Sequence, residues 1–283
     1  MKWMEQLRNL LEEPPPAYAF EIGPEGIAHW QAGTVRFEAL PAGEWQQDGA
    51  ALGEILGRLT PAPVGKRRRA AAVLLPDHAA RVSLLEFDQF PRRPEEQVAL
   101  LRFRLKRTVP FDVDTAVVKY HVRTVGGNKT EVIVAAMAVE ALAPYETAFR
   151  NAGFHAGYIQ LGTLSAVNLA EEDSLVVRWN GQTLTLVYLE GAQVRLYRAV
   201  DLPEAAMEEV LNLLDPTLAY LEDERKQKPA RVSLCGLGRV AAELTEHLRV
   251  NWGLEAGPLR SRLGAVDAHN AGLYGYLEGM GVQ

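Results

Sequence analysis

The chain has 283 residues, 48% of them hydrophobic, a formal net charge of -6 and one cysteine. That length and apolar content support two lobes with cores of their own. The lone Cys235 excludes an intramolecular disulfide and a cysteine-rich zinc site, and the acidic balance argues against a general nucleic-acid binder.

No run approaches the roughly 18 to 20 apolar residues of a membrane span, and the first residues lack a basic stretch, apolar run and cleavage site. A cytoplasmic location is therefore expected. His29, His78, His121, His155, His247 and His269 never pair at helical spacing, so no metal site is expected. Charge is uneven: Pro61 to Val109 holds eleven Lys and Arg against five acids. Such a stretch is either a solvated loop and helix face or a patch facing anionic lipid or an acidic partner.

In chain order, Met1 to Glu13 carries Trp3, Met4, Leu7, Leu10 and Leu11 at helical spacing and stops at Pro14-Pro15-Pro16. Its mixed-charge polar face suits docking on protein better than on a membrane surface. Tyr18 to Glu38 reads as consecutive hairpin strands, broken at Gly23-Pro24-Glu25-Gly26 and Ala32-Gly33. A helix is expected near Ala50 to Leu59, a buried strand at Ala70 to Pro76 and an extended segment at Arg81 to Phe87. Pro94-Glu95-Glu96 opens a helix with the stripe Val98, Leu101, Leu105, ended by Pro110.

Thr115 to Arg123 and Thr130 to Val139 read as a hairpin around Val125-Gly126-Gly127-Asn128. A helix at Ala141 to Ala152, capped by Gly153, precedes a strand at Ala156 to Gln160 and a helix at Thr163 to Ala170. A second lobe starts at Ser174 with strands Leu175 to Trp179, Thr183 to Leu189 and Val194 to Val200. Helical sequence over Glu204 to Glu224, the strand Arg231 to Cys235, and helices at Val240 to Asn251 and Ala268 to Leu277 complete it. Each lobe opens with antiparallel strands and closes with a strand and a helix, a weak internal duplication.

Val73-Leu74-Leu75-Pro76, Phe90-Pro91, Glu95-Glu96, Val109-Pro110-Phe111-Asp112 and Val117-Val118-Lys119-Tyr120 together resemble the PilM family of type IV pilus assembly proteins. The blocks Val132 to Ala138, Val139 to Gly153 and Phe154 to Asn168 extend the resemblance over most of the chain. The resemblance implies an α/β fold of two actin-like (ribonuclease H-like) lobes with an inserted α+β subdomain. Residues 1-84 and 159-173 would form the first lobe, 85-158 the insertion and 174-283 the second lobe. The cytoplasmic domain of GspL is a related scaffold.

In such folds two glycine-containing hairpin turns approach the phosphates and an Asp on each positions Mg²⁺. Here the first turn offers Glu21, Gly23 and Gly26, with Pro24 removing an N-H and Glu25 adding charge. The second aligns Arg178 with the Asp position, followed by Asn180 and Gly181, and an arginine cannot hold Mg²⁺. The alternative for Arg178 is direct contact with a phosphate. The adenosine loop corresponds to Gly236-Leu237-Gly238, which is also an ordinary tight turn, and Gln160 replaces a carboxylate of the inter-lobe strand. Cys235, at a strand end, is expected to be an inert buried thiol.

The resemblance therefore implies a degenerate site with no catalytic residue, no metal and no resident cofactor. It implies a scaffold that holds the N-terminal tail of a PilN-like membrane protein, meets the pilus motor ATPases indirectly and reaches the inner membrane through its partner. Arg102, Lys106, Pro110 and Phe111 are the candidate partner contacts, at the rim of a groove involving the insertion and the Pro94 to Phe111 helix. The alternative is an ATP- and Mg-binding switch with slow or no hydrolysis.

Overall fold

A computed structural model describes residues 16-31, 33-40, 49-60, 68-125 and 129-282. The expected helix at Met1 to Glu13, most of the basic linker after Pro61 and the glycine turn before Lys129 lie outside the described residues.

β1 (Tyr18–Gly23), β2 (Gly26–Gln31) and β3 (Thr34–Ala39) form an antiparallel meander. β1 then runs parallel to β4 (Arg69–Leu75), which runs parallel to β8 (Phe154–Leu161). β9 (Ser174–Trp179), β10 (Thr183–Glu190), β11 (Gln193–Asp201), β12 (Arg231–Cys235) and β13 (Ala256–Pro258) repeat the plan. The two sheet orders, β3-β2-β1-β4-β8 and β11-β10-β9-β12-β13, correspond strand for strand. β13 was not expected, because Ala256-Gly257-Pro258 has neither apolar alternation nor branched side chains.

The central strands are mostly apolar because both faces are covered. On one face of the first sheet, Phe20, Val73 and Leu75 pack under α1 (Gly49–Leu59) and α3 (Val139–Asn151) through Leu52, Leu56, Ala148 and Phe149. Phe20 meets Phe149 and Phe154 edge-on at 5.2 and 5.3 Å between centroids, a geometry favoured by the ring quadrupoles. On the other face Ala19, Ala72 and Leu74 pack against Leu273, Tyr276 and Leu277 of α7 (Ala271–Gly279). The second sheet carries α5 (Met207–Asp223) and α6 (Val240–His247) over Leu175, Val177, Leu184 and Leu186.

Between the sheets, α7 crosses α4 (Gly162–Ala166), which continues as a 3₁₀ turn at Val167–Leu169. The two helices touch backbone to backbone: a Cβ on Gly275 would sit 2.1 Å from the Ser165 carbonyl oxygen, and one on Gly272 2.7 Å from that of Gly162. Ala166 and Val167 then reach the second sheet at Val176, Val187 and Leu189.

The insertion is β5 (Arg81–Phe87), α2 (Pro94–Leu105), β6 (Val117–Val125) and β7 (Lys129–Met137), with sheet order β5-β7-β6. These pairings move the expected boundaries of 85-158. The extended segment from Arg81 belongs to the inserted sheet through its pairing with β7, while α3 and β8 belong to the first lobe. α2 also ends earlier than Pro110: the Thr108 and Val109 N-H groups both turn back to the Leu105 carbonyl.

Candidate functional site

Two places in this frame gather charged side chains around a recess. The first lies where the two meanders face one another. Glu21 on β1 and Arg178 on β9 occupy comparable places, each near the end of the strand that leads into its hairpin turn, and they meet across the lobes. Arg178 Nη2 donates to Glu21 Oε1 at 2.5 Å, and the two residues are 2% and 3% exposed. Arg178 also donates to the Ala268 carbonyl at 2.9 Å and to Thr163 Oγ1 at 3.4 Å. The Leu273 N-H donates to the other Glu21 oxygen at 2.8 Å.

A second buried acid stands beside them. Asp77, just past the end of β4, accepts the Thr163 N-H at 3.1 Å, its hydroxyl, the Thr185 hydroxyl at 3.2 Å and the Asn180 side-chain amide at 3.4 Å. Sequence reasoning missed Asp77. Its signal was an acid directly after the buried run Val73 to Pro76, at the carboxyl end of a central parallel strand, where open α/β sheets gather functional groups. Two carboxylates and one guanidinium thus share a region closed to water. Burial pushes the Glu21 carboxyl up, against the pull of Arg178 and the Leu273 N-H. Burial works against the Arg178 charge too, but Glu21 beside it wins and holds the guanidinium firmly protonated.

The turns in front are closed on each other. A Cβ at Gly181 (φ +84°) would lie 2.6 Å from the Pro24 ring, so the two hairpin tips are in contact. His269 stacks on Phe37 at 4.3 Å and stands 3.3 Å from Glu25, next to those tips. The space left among Glu21, Gly23, Pro24, Arg178, Asn180 and His269 is about 10 Å³, room for about one water. Gly236 and Gly238 lie behind this, at the mouth of a separate open cavity of 360 Å³ lined also by Cys235, Ala241, Thr245, Leu259 and Asp267. Gly236 has a packing reason of its own: at φ +76° its Cβ would fall 1.9 Å from the Trp179 carbonyl oxygen. Burial pushes the Cys235 thiol up to about 11, so it is an inert thiol at neutral pH.

The second recess, about 230 Å³, lies between the inserted sheet and the second lobe. Alternation divides the inserted sheet into two faces. Phe87, Val132, Val134 and Ala136 pack under Leu101 and Leu105 of α2. Leu84, Glu86, His121, Arg123, Glu131 and Ile133 line the recess, opposite Leu189 to Arg195, with Leu164 and Val167 also in its wall. Two charged pairs span it, Arg195 with Glu131 and Arg225 with Glu86 at 2.9 Å; on either side Arg195 also binds Glu190, and Arg123 meets Glu131 at 2.9 Å.

The expected partner contacts lie away from this recess. α2 lies on the opposite face of the inserted sheet from the recess. Arg102 is engaged with the Val113 carbonyl at 2.5 Å, the Ala116 carbonyl at 3.0 Å and the Asp114 carbonyl. Lys106 pairs with Asp114 at 2.7 Å. Both staple the loop that holds the exposed Pro110 and half-buried Phe111. Among the described residues no cluster of three or more His, Cys, Asp or Glu could hold a metal, and no helix is long and apolar enough to cross a membrane.

No family profile and no curated protein matches this chain. Solved structures do. One, described as the PilM-PilN type IV pilus biogenesis complex, matches 96% of this chain and 100% of its own with a TM-score of 0.69 and 21% identity. A protein of unknown function from Bacteroides thetaiotaomicron, described as having an actin-like ATPase fold, matches 87% of this chain and 91% of its own at TM-score 0.53 and 11% identity. This chain has the actin-like ATPase fold. In that fold the duplicated sheets are the two lobes, and the Glu21–Arg178 pair occupies the inter-lobe cleft. The cytoplasmic domain of EpsL, an inner-membrane component of the type II secretion system of Vibrio cholerae, matches 92% of this chain and 94% of its own at TM-score 0.54 and 14% identity.

Proposed function

We propose that this actin-like protein is a scaffold of a type IV pilus or type II secretion-like assembly platform. It holds the extended N-terminal tail of a PilN-like membrane protein in the recess between the inserted sheet and the second lobe. The observation that carries the reading is that recess, with an apolar floor of Leu84, Ile133, Leu164 and Val167 and walls of paired charges. An extended peptide needs such apolar sockets for alternate side chains and polar groups for its backbone. The likeness to the protein solved with PilN supports the choice of partner. The scaffold works in the cytoplasm, reaches the inner membrane through that partner and touches the pilus motor ATPases only indirectly.

The inter-lobe cleft does not act as an ATPase site in this proposal. Mg²⁺ needs near-octahedral oxygen ligands, and both Glu21 oxygens are already committed to Arg178 and Leu273. A triphosphate would have to part the Pro24–Gly181 contact and sit beside two carboxylates. A nucleotide-binding switch is the second reading, and the 360 Å³ cavity beside Gly236 and Gly238, with room for a base, is what favours it.

Calorimetric titration with a synthetic N-terminal tail of a PilN-like protein tests the first reading. Saturable binding that weakens in Ile133→Asp supports it; no binding by the wild type sinks it. Thermal denaturation with millimolar Mg·ATP separates the second, because a ligand bound only by the folded state must raise the melting temperature.

A further inference from the structure

We propose that Glu21, Asp77 and Arg178 form a built-in strut that takes the place of a bound nucleotide in bridging the lobes and fixes the tail-binding recess through α4. The coupling to the recess rests on the tail-binding reading above; the bridging of the lobes does not.

The cluster draws on five separated parts of the chain. Glu21 and Asp77 come from the first lobe, Arg178 with Asn180 and Thr185 from the second, Thr163 from α4, and Leu273 from α7. The bonds of Arg178, Asn180 and Thr185 to Glu21, Asp77 and Thr163 run between lobes, while those of Thr163 to Asp77 and of Leu273 to Glu21 tie α4 and α7 to the same cluster. A nucleotide in such a cleft ties two lobes by presenting anionic oxygens to groups on both. Here the carboxylates of Glu21 and Asp77 present the oxygens, and Arg178 supplies the cation that a metal would otherwise supply. The strut is part of the fold, so the lobes are bridged with no ligand present.

α4 links this strut to the recess. Its first turn is held by the Asp77 carboxylate at the Thr163 N-H and hydroxyl, with Arg178 reaching the same hydroxyl. One residue later Leu164 lines the recess, and Val167 follows one turn on. The backbone contact with α7 at Gly272 and Gly275 leaves α4 little freedom to shift without moving both lobes. Arg178 is a positioning residue for the recess, which it does not line.

Hydrogen exchange and tail calorimetry on the full chain test this. In the wild type, exchange in α4 and α7 is slow and unchanged by 5 mM Mg·ATP, on the order of 10³ times a micromolar dissociation constant. Arg178→Met is expected to speed exchange in α4 and α7 at least tenfold while β10 and α5 stay protected. It also weakens the synthetic PilN-like tail at least tenfold, and the double variant Glu21→Met/Arg178→Met recovers part of both. If Arg178→Met does not fold, Glu21→Gln, isosteric and uncharged, serves for the same readings. Unchanged exchange in the variant, or added protection of wild-type α4 by Mg·ATP, overturns the strut. Fast exchange with unaltered tail affinity overturns its link to the recess. A wild type that ignores the tail fails the scaffold reading alone, since the exchange arm still decides the strut.

Discussion

The molecule has two charged inter-lobe regions that do opposite things with similar side chains. In the cleft, Glu21, Asp77 and Arg178 are nearly inaccessible, and the space beside them is about the size of one water. In the recess, Arg195 and Glu131 are 12% and 20% exposed along their side chains, Glu86 is 60% exposed, and the cavity is over twenty times larger. Burial decides the difference. Charges out of water are held rigidly by their partners and are costly to orphan, whereas charges at a wet edge rearrange cheaply and steer a binding partner. The cleft is built for position and the recess for exchange.

The sharpest way to break that contrast is to remove one charge from each region. Arg178→Ala leaves two buried carboxylates uncompensated and is expected to cost about 3–5 kcal/mol. At about 2–4 °C per kcal/mol the melting temperature should fall by roughly 6 to 20 °C. A fall of under about 2 °C by calorimetry or circular dichroism would show that the cleft charges are solvated like the others. Next in size is Gly275→Ala, whose new methyl group meets the Ser165 carbonyl and forces α4 and α7 apart. Overpacking of this kind costs about 1–3 kcal/mol, read from the denaturant midpoint, and a neutral result would mean that the helix crossing is loose. Arg195→Ala, whose side chain is 12% exposed, should cost less than Arg178→Ala, about 1–3 kcal/mol, and it should weaken the tail by about tenfold in calorimetry.

How much of this contrast was legible beforehand depended on whether it was local. The strands and turns of both meanders were readable because apolar runs, Gly23 to Gly26 and Asn180-Gly181 act within a few residues. Glu21 and Arg178 could each be read as unsuited to Mg²⁺, but they are 157 residues apart, and only the fold shows that each is the other's counterion. Asp77 was hidden for the same reason. The recess could not be read from the sequence because Leu84 and Leu85, or Val132 and Ile133, are apolar on both sides of their strands, so alternation could not say which face holds a helix. Arg102 and Lys106 read as a binding rim from a sequence that does not show the carbonyls Arg102 holds or the Asp114 carboxylate Lys106 meets.

The smallest effect sharpens the comparison by pH. Burial holds the imidazoles of His29, beside the first-lobe core, and His121, on the recess wall, below their ordinary value near 6.5. A depressed folded value means the unfolded chain binds the proton more readily, so their contribution is present above 6.5 and is lost as the pH falls below it toward the folded value. Glu21 runs the other way: its carboxyl is raised above 4.5, so its contribution is fullest below that value and lost as the pH rises through the folded one. Comparing variants separates the two. Between pH 7.5 and 5.5 the wild type should lose more melting temperature than His29→Gln by about 1–2 °C, a fraction of a kcal/mol. His121→Gln should show a similar difference that grows when the tail peptide is bound, because an occupied recess is drier and lowers the imidazole further, widening the gap between the folded and unfolded chains in bound protons. Parallel profiles for wild type and both variants would mean that these rings are solvated in the folded protein, and that the recess is wetter than its wall of paired charges implies.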